Sequence, residues 1–157
     1  MSVPGWQVVL LLAAGFRDSI ESLHIELAER GHPNARPLHG FALQAIGPDG
    51  CTIAQLGQRL GVTKQAAGKT ATTLESAGYV VRSSVANDRR AVLLRRTPQA
   101  DDLLTASEAG FDKVIARWRK QVGAKRFDAM VETLGELAGD LPVGDLPGML
   151  TQAQGRS

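Results

Sequence analysis

Aromatic residues are scarce: two tryptophans, one tyrosine and four phenylalanines in 157 residues. Only Tyr79 falls between Cys51 and Thr97. That stretch therefore lacks the aromatic platform on which unpaired RNA bases stack. A single cysteine excludes a disulfide framework and any cysteine-based metal cluster. His24, His32 and His39 lack the i, i+4 spacing that sets two metal ligands on one helical face, so no metal site is expected. Long apolar runs are missing too. Val8–Ala14 is too short to cross a bilayer, and no lysine or arginine precedes it as in a secretory leader. It reads as part of a buried helix in a cytoplasmic protein. G-x-S-x-G, Walker, H-E-x-x-H and dinucleotide fingerprints are absent, so neither an enzyme nor a cofactor is expected.

What is present is an uneven charge. The whole chain has 18 Lys+Arg against 16 Asp+Glu, a net of +2. Between Cys51 and Thr97 the bases Arg59, Lys64, Lys69, Arg82, Arg89, Arg90, Arg95 and Arg96 face only the acids Glu75 and Asp88, a net of +6. The rest of the chain is left at −4. A basic middle between acidic flanks suits a polyanion-binding segment held by elements that need not touch the polyanion.

The apolar period supplies the elements. Trp6, Val9, Leu10, Ala13, Phe16, Ile20, Leu23 and Leu27 recur at steps of three and four, which predicts a helix over 6–30 ending at Gly31. Pro37 suits the first position of a second helix, and Gly47–Gly50 a turn. Thr52-Ile-Ala-Gln55 is a capping box, with Gly61 stopping the helix it opens. Thr63 caps another helix running to about Ala77, and this close pairing makes a helix-turn-helix. Residues 79–85 and 91–97 are β-type in composition, joined by a charged tip over 86–90. Thr97-Pro98 opens a long helix to Gly123, and Phe127–Leu141 carries the stripe of a last one. The expected class is mainly α (α+β): a winged helix-turn-helix over 37–97, helical flanks over 1–36 and 98–141, and a flexible tail over 142–157.

Within this layout, Thr52–Gln65, Leu74–Val80 and the wing sequence Asp88-Arg89-Arg90-Ala91 resemble the MarR family of transcriptional regulators. The resemblance spans roughly residues 6–140. It implies a homodimer whose flanking helices interlock, two winged helices that reach DNA, and a small-molecule effector pocket between them. It also implies that Asp88 orients Arg90. The chain departs from the family pattern at Arg96-Thr97, where a Leu-Thr pair is usual, and Gly68 stands inside the recognition helix.

The residues expected at DNA follow from groove chemistry. Gln65, Lys69 and Thr72, with Thr73 beside them, share a helix face opposite Ala67, Thr70, Ala71 and Leu74. Gln65 can grip adenine, and Lys69 guanine or a phosphate. Thr63 and Lys64 stand at the helix N-terminus, where anions are favoured. Arg89 and Arg90 suit a narrow minor groove. Arg82, Arg95, Arg96 and Arg59 fit either phosphate contacts or a solvated face. Cys51 reads as a small apolar residue. His24 and His39 are possible pocket liners, though satisfied or surface histidines are the plainer reading. The functional expectation is a sequence-specific, double-stranded DNA-binding regulator acting as a homodimeric repressor at a pseudo-palindromic operator, released by an effector. The alternative is an architectural winged-helix protein with no sequence preference.

Overall fold

A computed structural model of the chain describes the backbone of residues 3–85 and 88–139, with their side chains except at 85 and 88–91. The expected tail and the Ala86-Asn87 part of the wing tip lie outside the described residues. Helix α1 (Gly5–Glu29) leads into α2 (Pro37–Ile46), which has Pro37 in its first turn. Strand β1 (Cys51–Thr52) precedes α3 (Ile53–Leu60) and α4 (Lys64–Ser76). Strands β2 (Val80–Val85) and β3 (Asp88–Arg96) form the wing. Helices α5 (Pro98–Val122) and α6 (Ala124–Ala138) close the described chain. This is the expected winged helix-turn-helix with helical flanks.

Local chemistry sets most boundaries. Thr52 Oγ1 accepts from the Gln55 backbone N–H at 3.1 Å, and Gln55 Oε1 accepts from the Thr52 N–H at 2.9 Å. At the other end of α3, Gly61 takes the left-handed conformation with φ 65°. There the Val62 N–H reaches Gly57 O at 2.9 Å, satisfying a carbonyl that the helix leaves free. Gly78, with φ 82°, ends α4 in the same way: the Tyr79 N–H donates to Leu74 O at 2.9 Å. The chain can therefore turn sharply from α4 into the wing.

The sheet corrects two expectations. Its order is β1-β3-β2, antiparallel throughout, with Cys51 opposite Leu94 and Arg82 opposite Leu94 on the other side. The two-residue β1 carries no periodicity that could announce it. Strand β3 starts at Asp88, not Ala91, because pairing with Val85 continues past an irregularity at Ser84/Val85. Asp88–Arg90 therefore belong to strand backbone and not to a long connecting turn.

The core lies under the helix-turn-helix. Leu43, Ile46, Leu56, Leu60, Leu74, Val80, Leu94 and Leu103 are almost wholly buried. Helix α1 joins this core only through its C-terminal half, by Leu23 and Leu27, and packs along α5. Asp18 accepts from Arg117 at 2.6 Å and from Trp118 Nε1 at 2.9 Å, and Glu26 pairs with Lys113 at 2.6 Å. The expectation of a buried Val8–Ala14 does not hold within the single chain. Val9, Leu10, Leu11 and Leu12 are all more than half exposed, and Trp6 is 67% exposed. Among the described residues, no element reaches that half of α1 closely enough to cover it. Among the described residues, no helix is long and apolar enough to cross a membrane.

Candidate nucleic-acid interface

Helix α4 buries Ala67, Ala71 and Leu74 and turns Lys64, Gln65, Lys69, Thr72 and Thr73 to solvent. The polar face expected from spacing is therefore one surface. Thr63 Oγ1 accepts from the Ala66 N–H at 3.1 Å. Its own hydrogen stays free to donate toward an anion at this positive helix end. Thr72 and Thr73 differ: their hydroxyls donate to Gly68 O at 3.0 Å and Lys69 O at 3.1 Å. With those protons committed, both hydroxyls face outside partners only as acceptors, alongside their methyl groups. Gln65 and the two lysines have no side-chain partner among the contacts of the described residues.

The arginines separate into groups. Arg82 Nε lies 2.6 Å from Glu75 Oε2, and its Nη2 donates to Thr72 Oγ1 at 3.0 Å. Arg96 Nε stands 3.0 Å from Asp101 Oδ1, a charge contact without hydrogen-bond alignment. Arg59 donates to Ala45 O at 2.7 Å and Ile46 O at 3.3 Å, satisfying carbonyls at the end of α2. This contact is neither the phosphate contact nor the solvated face expected for Arg59. Arg95 is exposed. The side chains of Asp88, Arg89 and Arg90 lie outside the described residues, so the expected Asp88–Arg90 contact does too.

Sequence reasoning missed one polar cluster, in which His32 and Tyr79 are buried and Asp102 is exposed. His32, only 4% exposed, holds Tyr79 Oη at 2.9 Å through Nδ1 and Asp102 Oδ2 at 2.7 Å through Nε2. A carboxylate only accepts, so Nε2 donates to Asp102; in the neutral imidazole Nδ1 then accepts from the Tyr79 hydroxyl. Burial and then the Asp102 charge push the tyrosine's pKa up, which keeps that hydroxyl a donor. The three residues join the loop after α1, the exit of α4 and the start of α5. No spacing signal marks such a cluster, because its members are 47 and 70 positions apart.

His39 Nδ1 accepts from the Arg36 backbone N–H at 3.1 Å, and His24 Nε2 is buried without a partner. Neither lines the cavity described next; His39 is the satisfied histidine of the plainer reading, whereas His24, with a buried and unpartnered Nε2, is neither satisfied nor a surface residue. Cys51 is fully buried, and its thiol is pushed up by burial, with nearby Arg59 opposing. That fits a small apolar residue. Among the described residues, no group of three or more His, Cys, Asp or Glu could hold a metal ion.

A cavity of 1070 Å³ opens between α1, α2, α3 and α5. Leu23, Leu27, Phe41, Leu103, Leu104 and Phe111 form its apolar wall, and Arg36, Arg59, Gln44, Gln58 and Glu108 its polar rim. It sits where the flanking helices meet the helix-turn-helix.

A capped recognition helix with a polar outer face, followed by an antiparallel wing and flanked by long helices, is the winged helix-turn-helix architecture. A sequence model of the MarR family matches residues 37–91, which run from α2 to the third residue after the start of β3. Over these residues the chain is similar to the MarR family. The fold is shared with solved structures of low identity. YusO from Bacillus subtilis is 20% identical, with a TM-score of 0.66 over 86% of this chain and 94% of its own. FabT from Streptococcus pneumoniae, solved in complex with DNA, is 18% identical, with a TM-score of 0.68 over 86% and 95%. CouR from Rhodococcus jostii RHA1, bound to p-coumaroyl-CoA, is 18% identical, with a TM-score of 0.57 over 85% and 92%.

Proposed function

We propose that this protein is a transcriptional regulator that binds double-stranded DNA sequence-specifically as a homodimer and represses until a small molecule releases it. The carrying observation is the outer face of α4: Lys64, Gln65, Lys69, Thr72 and Thr73 exposed together beside the capped N-terminus at Thr63. A helix of this kind fits the major groove, where glutamine and lysine discriminate bases. Arg89 and Arg90, with Asp88 orienting Arg90, are assigned to the flanking minor groove. The DNA complex of the similarly folded FabT supports the same use of the fold.

Dimerisation rests on the apolar surface that the single chain leaves open. Val9–Leu12 on α1 and Met130, Val131, Leu134 and Leu137 on α6 are all exposed. Exposed apolar surface of this kind belongs at an interface. A second copy covers it and fixes the distance between two recognition helices. The effector role rests on the cavity and on ligand binding by the similarly folded CouR. A ligand there shifts DNA affinity only through its different affinity for the two arrangements of the dimer.

Selection of duplexes from a random library by the purified protein tests the central reading. Enrichment of a pseudo-palindrome with half-sites about 10 bp apart is expected. Uniform binding of all duplexes at matched salt would instead establish the architectural role. Titrating small molecules into the protein–DNA complex tests the effector: a panel that leaves affinity unchanged removes that part.

A further inference from the structure

We propose that Arg82 is a positioning residue for DNA recognition: its guanidinium ties the wing to the recognition helix through Glu75 and Thr72 and does not neutralise a phosphate. This deepens the DNA-binding reading above and rests on it.

Side chains alternate across a strand, so Arg82 shares its face of β2 with Val80. Val80 is 1% exposed and points into the core beneath α4, whereas Val81 on the opposite face is 50% exposed. Arg82 thus leans over the C-terminal half of α4. Its Nε meets Glu75 Oε2 at 2.6 Å, and its Nη2 meets Thr72 Oγ1 at 3.0 Å. Glu75 and Thr72 lie three residues apart and therefore adjacent on the α4 surface. The fork of the guanidinium spans both, a geometry that lysine cannot copy.

Charge points the same way. Glu75 is one of only two acids in the basic stretch from Cys51 to Thr97. A phosphate approaching Arg82 would meet the Glu75 carboxylate beside it, so the pair as a unit releases little counterion. An exposed ion pair also adds little to stability, because water and salt screen it. What remains is orientation. The contact fixes the angle between a helix meant for one groove and a hairpin meant for the next. It also holds Thr72, whose hydroxyl already donates to Gly68 O, as an acceptor with a set direction.

The test uses the full chain and a duplex that the wild-type protein enriches from a random library. Affinity is measured from about 50 to 200 mM salt for Arg82→Gln, Arg82→Lys and Glu75→Gln, with thermal melts confirming that each folds. Positioning predicts that all three weaken binding, by about tenfold, at the wild-type salt slope. The double variant Glu75→Gln/Arg82→Gln then binds no worse than either single one. A phosphate contact predicts the opposite pattern. Arg82→Gln would lower the slope by about one, Arg82→Lys would bind as wild type, and Glu75→Gln would tighten binding. That pattern, or unchanged affinity in all three, overturns the proposal while leaving sequence-specific binding in place. Failure of the wild-type chain to enrich any duplex overturns both.

Discussion

Gly68 lies mid-way along the recognition helix, where glycine lowers helix stability by about 1 kcal/mol relative to alanine. Packing does not require it, since an added Cβ would meet only Ile53 Cγ2 at an ordinary 3.9 Å. Gly68→Ala should therefore raise the unfolding free energy by about 0.5–1 kcal/mol in denaturant titration. If affinity for DNA falls in the same variant, the bare backbone at this position serves the groove. His39 behaves differently. Burial, followed by the Arg36 charge, holds its pKa below the ordinary 6.5. Protonation would also remove the lone pair that receives the Arg36 N–H. The unfolded chain thus binds this proton before the folded chain does. Its contribution is present above about pH 6.5 and lost as pH falls through the lower folded-state value. His39→Gln should flatten the decline in unfolding free energy on acidification from about pH 7 to pH 5. A slope matching wild type would remove His39 as its source. Such residue-level roles were unevenly legible. The outward face of Gln65 and Lys69 followed from helical period alone, but the partners of Arg82 and His32 are long-range and depend on how the chain returns.

Element boundaries were the most legible feature, because their causes are local. Thr52-x-x-Gln55, Pro37, Gly61 and Thr97-Pro98 each end or begin a helix through atoms no more than a few residues away. Strand β1 was not legible: it has two residues, and its partner Leu94 lies far along the chain. The early start of β3 escaped for the same reason, since charged Asp88 pairs with Val85 only because β2 is alongside. The Thr52 cap gives an element-scale prediction. Thr52→Ala removes the acceptor for the Gln55 N–H at the base of α3 and should lower stability by about 1 kcal/mol. A chemical denaturation midpoint equal to wild type would show that β1 pairing holds the helix start without the cap. Thr97 serves a neighbouring junction. It caps α5 through the Ala100 N–H and donates to Gly78 O at 2.7 Å, which binds the exit of the wing to the exit of α4.

For the whole molecule, one expectation inverted its meaning. The apolar period of α1 implies burial, but among the described residues the single chain buries Leu23 and Leu27 and leaves the first half open. Periodicity reports that a face seeks cover and is silent about which chain supplies it. Sedimentation should accordingly give a particle of twice 16.7 kDa. Leu11→Asp, at a residue 62% exposed in the single chain, should shift it to the monomer and reduce affinity for a two-half-site duplex by tenfold or more. A monomeric wild-type chain would refute the proposed assembly. The charge division acquires a geometry as well. The basic stretch is the helix-turn-helix and wing, and much of the acidic remainder lies on α1, α5 and α6.

Cys51 has a use that its chemistry conceals. It is the one thiol in the chain, it is fully buried, and it sits on the short strand between the turn after α2 and the cap of α3. An uncharged alkylating reagent can reach it only while the core around β1 is open. The labelling rate, divided by that of a free thiol, is then a clock for opening at the root of the helix-turn-helix. The native chain carries this reporter without any engineered label, and repeating the measurement on a bound duplex reads how far occupancy of α4 slows that opening.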